Sequence, residues 1–242
     1  MASIQTQPSV YQRQGFRWDA HQAYLFDIDG TLLRCRDRIH IDAFLSSARA
    51  VMGRDFTLDG VVLSGNTDPG ILCDAFRLSG LDANHWEPRM EEILEQMRCE
   101  VASRRADFRI DKMPGVDEAL AHLHGKGATL GVATGNLESI GWLKIEFLGL
   151  REWFRFGGFS DRHPVRADMI AEAAREARAL AGPDATVCVV GDTPADIAAA
   201  RANGLCTIAV ATGNYTFDQL MAHEPEACAS SLLALLEAEP PQ

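Results

Sequence analysis

Helical and strand-like segments alternate over residues 116–210, and this alternation limits the possible folds more than any other feature of the chain. The helical segments carry apolar residues three and four positions apart, which is typical of helices with one buried face. The segments between them are apolar runs with the length of buried strands, at 128–133, 154–159, 187–190 and 205–210. Strands joined by helices pair in parallel, with helices on both faces of the sheet. The sequence therefore predicts an α/β fold built on a doubly wound parallel sheet.

Residues 34–110 contain helical patterns only, and they interrupt the alternation after a first predicted strand that ends at Phe26. We therefore expect a helical cap domain at 34–110. It is inserted into an α/β core domain made of residues 1–33 and 111–242. Residues 1–18 are polar and aperiodic, and they are expected to form a loose arm or an extension of the sheet edge.

Within the predicted cap, the start of one helix is marked by Asp68 and Pro69. Asp68 is expected to cap this helix, with Pro69 at the first helical position. A longer helix is predicted over residues 84–105, with Met90 on its buried face. The polar turn at 64–68 is the part of the cap that most resembles a binding site.

Two aspartates directly follow the first predicted strand. While a strand persists, residues two apart lie on the same side, and Gly30 lets the chain turn just after them. Asp27 and Asp29 would therefore sit together at the end of the strand. Two carboxylates so close repel each other, and a bound cation or a proton on one of them would relieve that repulsion. The pattern alone fits two solvated acids equally well.

A second polar turn follows the predicted strand at 128–133 and leads into a helix. Its residues are Thr134, Gly135 and Asn136. A hydroxyl beside the free amides of a helix N-terminus forms an anion-binding site, although a simple helix cap explains the same residues. Because function gathers at the carboxyl ends of parallel strands, this turn is expected to lie near the two aspartates.

Three short motifs occur in the order found in the haloacid dehalogenase superfamily. They are Asp-x-Asp-Gly-Thr at 27–31, Thr-Gly-Asn at 134–136 and Gly-Asp-x-x-x-Asp at 191–196. From about residue 24 to about residue 211, the chain resembles the phosphoglycolate phosphatase-like members of this superfamily. The resemblance implies a Rossmann-like core with an inserted cap.

The resemblance also implies the roles of the acidic residues. Asp27 would be the nucleophile that accepts a phosphoryl group, and Asp29 would protonate the leaving alcohol and then act as a base. Mg²⁺ would be held by Asp27, the backbone carbonyl of Asp29, and Asp192, since this ion prefers hard oxygen ligands. Asp196 would orient a metal-bound water or cap the following helix. Thr134 would bind a phosphate oxygen.

Residues expected to bind the substrate come from three turns: Gly30, Thr31, Gly135, Asn136, Thr67 and Asp68. The first four are implied by the superfamily motifs. The last two belong to the polar turn of the cap and would contact the leaving group, although Asp68 serves equally well as a helix cap.

The third motif of the superfamily, a lysine before the strand at 187–190, is absent. Arg166 is predicted to replace it, because Arg166 opens a helix at the active end of the sheet and carries a permanent charge suited to phosphate. His163 lies where the lysine would fall and is the rival, with Arg162 behind it. Lys144, one of three lysines, lies roughly 12 Å along the helix after Thr134 at 1.5 Å per residue, which disfavours it. A solvated arginine at a helix start stays open as an alternative.

The function implied is a Mg²⁺-dependent phosphatase for a small phosphomonoester, either phosphoglycolate-like or a sugar phosphate. Dehalogenation needs neither Asp29 nor Asp192, and phosphonate cleavage needs a cap lysine that residues 34–111 lack. Two alternatives stay open. One is a phosphosugar mutase of the same superfamily, and the other is a non-catalytic protein that binds phosphate or metal on this scaffold.

Composition limits the partners. A net charge of -11 argues against nucleic-acid binding. No apolar run is long enough to span a bilayer, and the first twenty residues lack the pattern of a signal peptide. We expect a soluble cytoplasmic protein that acts on a small phosphorylated metabolite, with no nucleic-acid or membrane partner. The sequence does not distinguish a monomer from a homodimer. Its six scattered cysteines are expected to be reduced.

Overall fold

This computed structural model describes residues 10–238, and this part of the chain contains nine strands. In chain order they are β1 (Val10–Gln12), β2 (Ala23–Phe26), β3 (Leu33–Cys35), β4 (Ile110–Lys112), β5 (Thr129–Ala133), β6 (Phe156–Gly158), β7 (Val187–Gly191), β8 (Cys206–Val210) and β9 (Ala227–Ala229). β3 and β4 form a small antiparallel ribbon, and the other seven strands form one sheet in the order β1-β9-β8-β7-β2-β5-β6. Every neighbouring pair in this sheet is parallel except β1 with β9.

Ten α-helices accompany these strands in the same part of the chain. They are α1 (Ile39–Met52), α2 (Asp68–Leu78), α3 (Ala83–Trp86), α4 (Met90–Ser103), α5 (Val116–Gly125), α6 (Glu138–Phe147), α7 (Arg166–Ala181), α8 (Pro194–Ala202), α9 (Phe217–Met221) and α10 (Leu232–Glu237). α1 to α4 all lie between β3 and β4, so the chain enters and leaves this helical segment through the ribbon. We call this segment, residues 36–109, the cap. The division into two domains stays a prediction.

The large sheet is buried on both faces, as the apolar strands predict. Tyr24 and Phe26 of β2 belong to a hydrophobic cluster that continues into the cap. Leu25 points to the opposite face, since neighbouring strand residues alternate, and it packs in a second cluster with Met169 of α7. The predicted α/β fold with a parallel sheet and helices on both faces is therefore confirmed.

The register of the three central strands brings their following residues together. Phe26 of β2 lies opposite Val132 of β5 on one side and Val190 of β7 on the other. The residues that come next in each strand or turn therefore leave the sheet at the same edge. This edge faces the cap.

The predicted long helix over 84–105 is wrong in its first part. The structure has the short helix α3, a 3₁₀ turn at Glu87–Arg89, and only then α4. Pro88 lies in that turn, and a proline inside an α-helix removes a hydrogen bond and clashes with the preceding turn. Met90 begins α4 and is partly exposed, which also differs from the prediction.

The predicted start of α2 is shifted by one residue. Thr67 is the N-cap, because its hydroxyl accepts a hydrogen bond from the Gly70 amide at 3.1 Å. Asp68 is therefore the first helical residue, and its carboxylate is used elsewhere. Serine and threonine commonly cap helices in this way.

Residues 10–12 of the predicted arm form β1 at the edge of the sheet, and residues 1–9 lie outside the described residues. Among the residues that are described, helices combining the length and the apolar character needed to cross a membrane are absent.

Candidate active site

A cavity of about 470 Å³ lies between the carboxyl edge of the large sheet and the cap. Its core wall includes Asp27, Asp29 and Asp192, which follow β2 and β7. Its cap wall includes His40 of α1 and Asp68 of α2. The size is within the usual range for small-molecule sites.

Three buried aspartates meet at the base of this cavity. Asp27, Asp192 and Asp196 each place a carboxylate oxygen within 4.8 Å of the others. The Thr31 hydroxyl donates to Asp192 Oδ1 at 3.1 Å. Asp196 also accepts a hydrogen bond from the Thr193 amide at 3.1 Å. This bond completes a capping box with Thr193 at the start of α8, which is one of the two roles predicted for Asp196.

Arg166 is the cation of this cluster. Its Nη2 lies 2.8 Å from Asp27 Oδ1 and 2.6 Å from Asp196 Oδ1. The side chain is buried, and it belongs to the first residue of α7. The structure therefore brings Arg166 to the proposed nucleophile, as predicted, while its role in phosphoryl transfer stays a prediction.

Burial of the cluster changes the ionisation of its members. Burial raises the pKa of Asp27 to about 7, because Arg166 only partly offsets it and the charges of Asp196 and Asp29 add to it. Burial, together with Asp27 and Asp196, raises the pKa of Asp192 to about 8. These raised pKa values favour the protonated forms of the two acids in the absence of a metal, and a divalent cation would displace those protons.

The donor set fits Mg²⁺. It consists of buried carboxylate oxygens, which are the hard ligands this ion takes. When all three carboxylates are ionised they share one arginine, so the ionised cluster has an excess of negative charge for a dication to neutralise. The Asp29 carboxylate is not part of the cluster, and a contribution from its backbone carbonyl stays a prediction.

Two glycines make room for Asp192. A side chain at Gly30 or at Gly213 would overlap the Asp192 carboxylate. Gly30 also has a φ of 91°, in the region that favours glycine. Gly213 follows β8 and lines the cavity, and it was not among the residues predicted from the sequence.

Asp29 has a different cation, Lys144. The Lys144 Nζ lies 2.7 Å from Asp29 Oδ2 and 2.9 Å from Oδ1, and the lysine is only 2% exposed. Lys144 therefore lies in the site, and the prediction that it is too far along its helix is wrong. α6 begins at Glu138, so Lys144 lies in its second turn, and a long helical side chain points back towards the N-terminus of its helix.

This pairing sets the charge of Asp29. Burial alone would raise its pKa, but the Lys144 ammonium and a hydrogen bond from Asn136 outweigh it and lower the pKa to about 2. The Asp29 side chain is 40% exposed, so it is the part of the pair that reaches the cavity. Asp29 is therefore a carboxylate in this state, rather than the protonated acid that the first half of the expected reaction uses.

Thr134 keeps its hydroxyl proton available. Its Oγ1 accepts hydrogen bonds from the Asn136 side-chain amide at 2.6 Å and the Asn136 backbone amide at 3.3 Å. The hydroxyl is therefore free to donate to a substrate oxygen, as its predicted role requires. Asn136 and Gly135 line the cavity beside it.

The predicted anion site at the N-terminus of α6 is already filled by carboxylates. Asp68 Oδ2 accepts from the Leu137 amide at 2.8 Å, and Asp161 Oδ2 accepts from the Glu138 amide at 2.6 Å. The Asn136 amide is directed to Thr134 instead. A phosphate bound here would therefore meet the Thr134 hydroxyl and the Gly135 amide rather than the amides of Leu137 and Glu138, and anion binding at this turn stays a prediction.

Some predicted site residues lie behind the cavity wall. Thr67 is 1% exposed, and its hydroxyl donates to the Pro164 carbonyl at 2.7 Å in addition to capping α2. Thr31 is fully buried and is bound to Asp192. Neither residue lines the cavity, so the prediction that Thr67 and Thr31 contact the substrate directly does not agree with the structure. Asp68 does line it, with its carboxylate shared between Leu137 and His40.

The rivals of Arg166 are placed elsewhere. His163 pairs with Glu172 on α7, and Arg162 is an exposed residue of the 3₁₀ turn Ser160–Arg162. His40, the second residue of α1, lines the cavity and contacts Lys144.

A signal for Lys144 was present in the sequence. It occupies the buried stripe of α6, one turn after Ile140 and directly before Ile145. A lysine in the apolar stripe of a helix needs a buried partner, and an acidic motif in the same chain offers one. His40 carried no comparable signal.

Comparisons with known proteins agree with this architecture. CbbY from Rhodobacter sphaeroides, solved in complex with phosphate, is 21% identical with a TM-score of 0.67, covering 88% of this chain and 95% of that one. This level of identity shows a shared fold.

Two curated relatives match part of the chain. A probable phosphatase, IndB, of Dickeya dadantii is 38% identical over 120 residues, which is 47% of this chain and 49% of that protein. A phosphoglycolate phosphatase of Mesorhizobium japonicum is 35% identical over 123 residues, which is 50% of this chain and 53% of that protein. The chain spans about half the length of these two relatives.

The family model of the haloacid dehalogenase-like hydrolases matches residues 21–204, which include all three motifs and the cavity residues Asp27, Lys144 and Asp192. Because the match covers most of the chain and the fold agrees with it, this protein belongs to the haloacid dehalogenase-like hydrolase family.

Proposed function

We propose that this protein is a Mg²⁺-dependent phosphatase that hydrolyses a small phosphomonoester through an aspartyl-phosphate on Asp27. The observation that carries the proposal is the setting of Asp27. Its carboxylate lies at the base of a cavity, with one oxygen held by Arg166 and two further acids beside it. The names of the two curated relatives, both phosphatases, support the same reaction class.

The first step is attack of an Asp27 oxygen on phosphorus. Arg166 holds Oδ1, so Oδ2 is the oxygen left for attack. A bond forms between this oxygen and phosphorus while the bond from phosphorus to the leaving alcohol breaks. Arg166 and the Thr134 hydroxyl offset the charge of the phosphoryl oxygens.

Mg²⁺, held by Asp27, Asp192 and the carbonyl of Asp29, would neutralise phosphoryl charge and so reduce the repulsion between nucleophile and substrate. Asp196, which is tied to Arg166 and to the Thr193 amide, keeps the cluster in place.

Asp29 serves both half-reactions. The low pKa of Asp29 favours its ionised form, which is the form that removes a proton from the water that hydrolyses the intermediate. For the first half-reaction it must take up a proton, and the negative charge of a bound phosphate favours this.

The substrate is a small phosphomonoester, phosphoglycolate-like or a sugar phosphate. A cavity of about 470 Å³ accommodates a leaving group well beyond a phosphate. The absence of a nucleic-acid or membrane partner and a cytoplasmic location both stay predictions.

The test is release of phosphate from p-nitrophenyl phosphate, with and without Mg²⁺, beside Asp27→Asn. The expected result is metal-dependent turnover that the variant loses by at least about 10³-fold. An exposed cap variant, His85→Ala, serves as the control and should retain wild-type turnover. If the wild type releases no phosphate from this substrate, from 2-phosphoglycolate or from sugar phosphates, the phosphatase proposal is wrong. Transfer of phosphate within a sugar phosphate would identify a mutase instead.

A further inference from the structure

A continuous line of hydrogen bonds joins the core to the cap through Lys144. The Lys144 Nζ contacts the Asp29 carboxylate on the core side and His40 Nδ1 at 3.1 Å on the cap side. His40 Nε2 in turn lies 3.1 Å from Asp68 Oδ2. We propose that His40, supported by Asp68, is a positioning residue: it holds Lys144, and through Lys144 it orients Asp29 for proton transfer. This proposal rests on the phosphatase function proposed above.

The donors and acceptors of Lys144 match completely. An ammonium group has three N–H donors, and these have three partners, the Asp29 carboxylate, Asn136 Oδ1 at 2.8 Å and His40 Nδ1. Because the lysine is 2% exposed, water cannot replace a missing acceptor cheaply. The core supplies two of the three acceptors that the Lys144 ammonium needs, and His40 supplies the third.

The geometry also assigns the tautomer of His40. An ammonium group only donates, so Nδ1 must accept and carries no proton. The proton of the neutral ring is then on Nε2, where it is donated to Asp68. Asp68 thus selects the one tautomer that can hold Lys144.

Both cap residues are held firmly. The His40 ring stacks on Phe44 one turn later in α1, with the ring centroids 5.2 Å apart. Asp68 is fixed to the core by its backbone amide, which donates to the Gly135 carbonyl at 2.7 Å. The two helices of the cap therefore set where Lys144 and Asp29 lie, and this gives the cap a part in the chemistry as well as in enclosing the substrate.

A simple structural ion pair would behave differently from a positioning device. Positioning of Asp29 matters most when the leaving group needs a proton. p-Nitrophenolate is a weak base and leaves without being protonated. The alkoxide released from glycerol 2-phosphate is a strong base and needs a proton as it leaves. The dependence on the leaving group therefore separates the two explanations.

The experiment compares kcat and KM of His40→Ala, His40→Asn and the control His85→Ala on these two substrates. For His40→Ala we expect kcat/KM, which reports phosphoryl transfer to Asp27 and release of the leaving group, to fall about 10- to 100-fold on glycerol 2-phosphate and by less than about threefold on p-nitrophenyl phosphate. His40→Asn should recover part of the loss, because its Oδ1 can occupy the position of Nδ1. Equal losses on both substrates, or no loss, would overturn the proposal.

A second measurement does not depend on turnover. Long-range ¹⁵N–¹H NMR of the histidine rings should show His40 with its proton on Nε2, and the ¹⁵N chemical shift of Nδ1 should change in Lys144→Met, where Nδ1 loses its hydrogen bond from Nζ. A proton on Nδ1 in the wild type, or no change in the variant, would refute the arrangement. If the wild type hydrolyses no phosphomonoester, the proposed function fails on its own, and the NMR result still decides whether His40 holds Lys144.

Discussion

Asp27 and Asp29 lie two residues apart at the end of the same strand, yet their surroundings move their pKa values in opposite directions. Asp27 shares one arginine with Asp196 in a buried group of three carboxylates, and its pKa is raised to about 7. Asp29 has a lysine to itself, and its pKa is lowered to about 2. Identical side chains are thus given different chemistry by the number of cations and acids around each.

The difference shows how the site divides its two tasks. The region around Asp27 has an unmet need for positive charge, which suits metal binding and attack on phosphorus. The region around Asp29 is already neutral and fully hydrogen-bonded, which suits a group that must keep one orientation. The cap contributes to the second region through His40 and Asp68.

The largest effect is expected from removing the shared cation. Arg166→Met leaves Asp27 and Asp196 without a positive partner, and we expect kcat on p-nitrophenyl phosphate to fall by roughly 10²- to 10³-fold. The exposed Arg162→Met is the matched control and should stay within about twofold of the wild type. Similar kinetics for the two variants would contradict a role for Arg166 at the nucleophile.

Breaking the second pair should appear most clearly in stability. Asp29→Asn leaves the Lys144 ammonium buried without its anion, and we expect a loss of about 3 kcal/mol in the free energy of unfolding. Adding Lys144→Met should recover most of that loss, because the unpaired charge is then gone.

Asp111→Asn is the control for this stability measurement in urea. Asp111 belongs to an exposed pair with Arg36, and its loss should cost less than about 1 kcal/mol. A double variant no more stable than Asp29→Asn would show that the lysine charge is not the cause.

The pH dependence of stability should follow the raised pKa values of Asp27 and Asp192. Their folded-state values of about 7 and about 8 lie above the ordinary value of 3.8, so the folded protein binds more protons than the unfolded chain between these limits. Their contribution to stability is therefore complete below about pH 4 and is lost as pH rises towards 8.

Mg²⁺ should reverse this loss. At pH 8 and about 100 times its Kd, we expect Mg²⁺ to add about 2.7 kcal/mol, and so to raise Tm by about 5–10 °C. At pH 5, where the acids hold protons, the increase should be much smaller. Thermal unfolding with Mg²⁺ or with a chelator measures the increase in Tm at each pH. An equal increase at pH 5 and pH 8 would contradict the proposal that Mg²⁺ displaces protons from Asp27 and Asp192.

A smaller effect is expected at Gly213. Gly213→Ala places a methyl group against the Asp192 carboxylate and should weaken Mg²⁺ binding by about tenfold, as changes next to metal ligands often do. Gly125→Ala is the control, because a side chain there meets open space. Activity measured against Mg²⁺ concentration gives the Mg²⁺ affinity of each variant. Identical curves would show that Mg²⁺ binding by Asp192 does not depend on the space that Gly213 leaves for its carboxylate.

The fold and the Asp27 region could be predicted from the sequence because their signals are local. Buried strands are continuous apolar runs, and Asp27, Asp192 and Arg166 directly follow a strand or open a helix, so topology alone brings them to one edge. The short strands β1 and β9 have three residues each and carry too little pattern to be recognised.

The Asp29 region was not predictable in the same way. Its partners depend on the reach of one long side chain from α6 and on how two cap helices rest against the core. The filling of the α6 N-terminus by Asp68 is of the same kind, since it joins residues 69 positions apart in the chain. Such contacts follow from tertiary packing, which local spacing does not encode.

The most direct test of the account is the titration of Asp27 and Asp29 themselves. Carboxyl ¹³C NMR of the Mg²⁺-free protein, labelled at aspartate and assigned with Asp27→Asn and Asp29→Asn, would follow each group separately. We predict midpoints of about 7 for Asp27 and about 2 for Asp29. Two midpoints near the ordinary value of an aspartate, or the opposite order, would contradict the division of roles between the two acids.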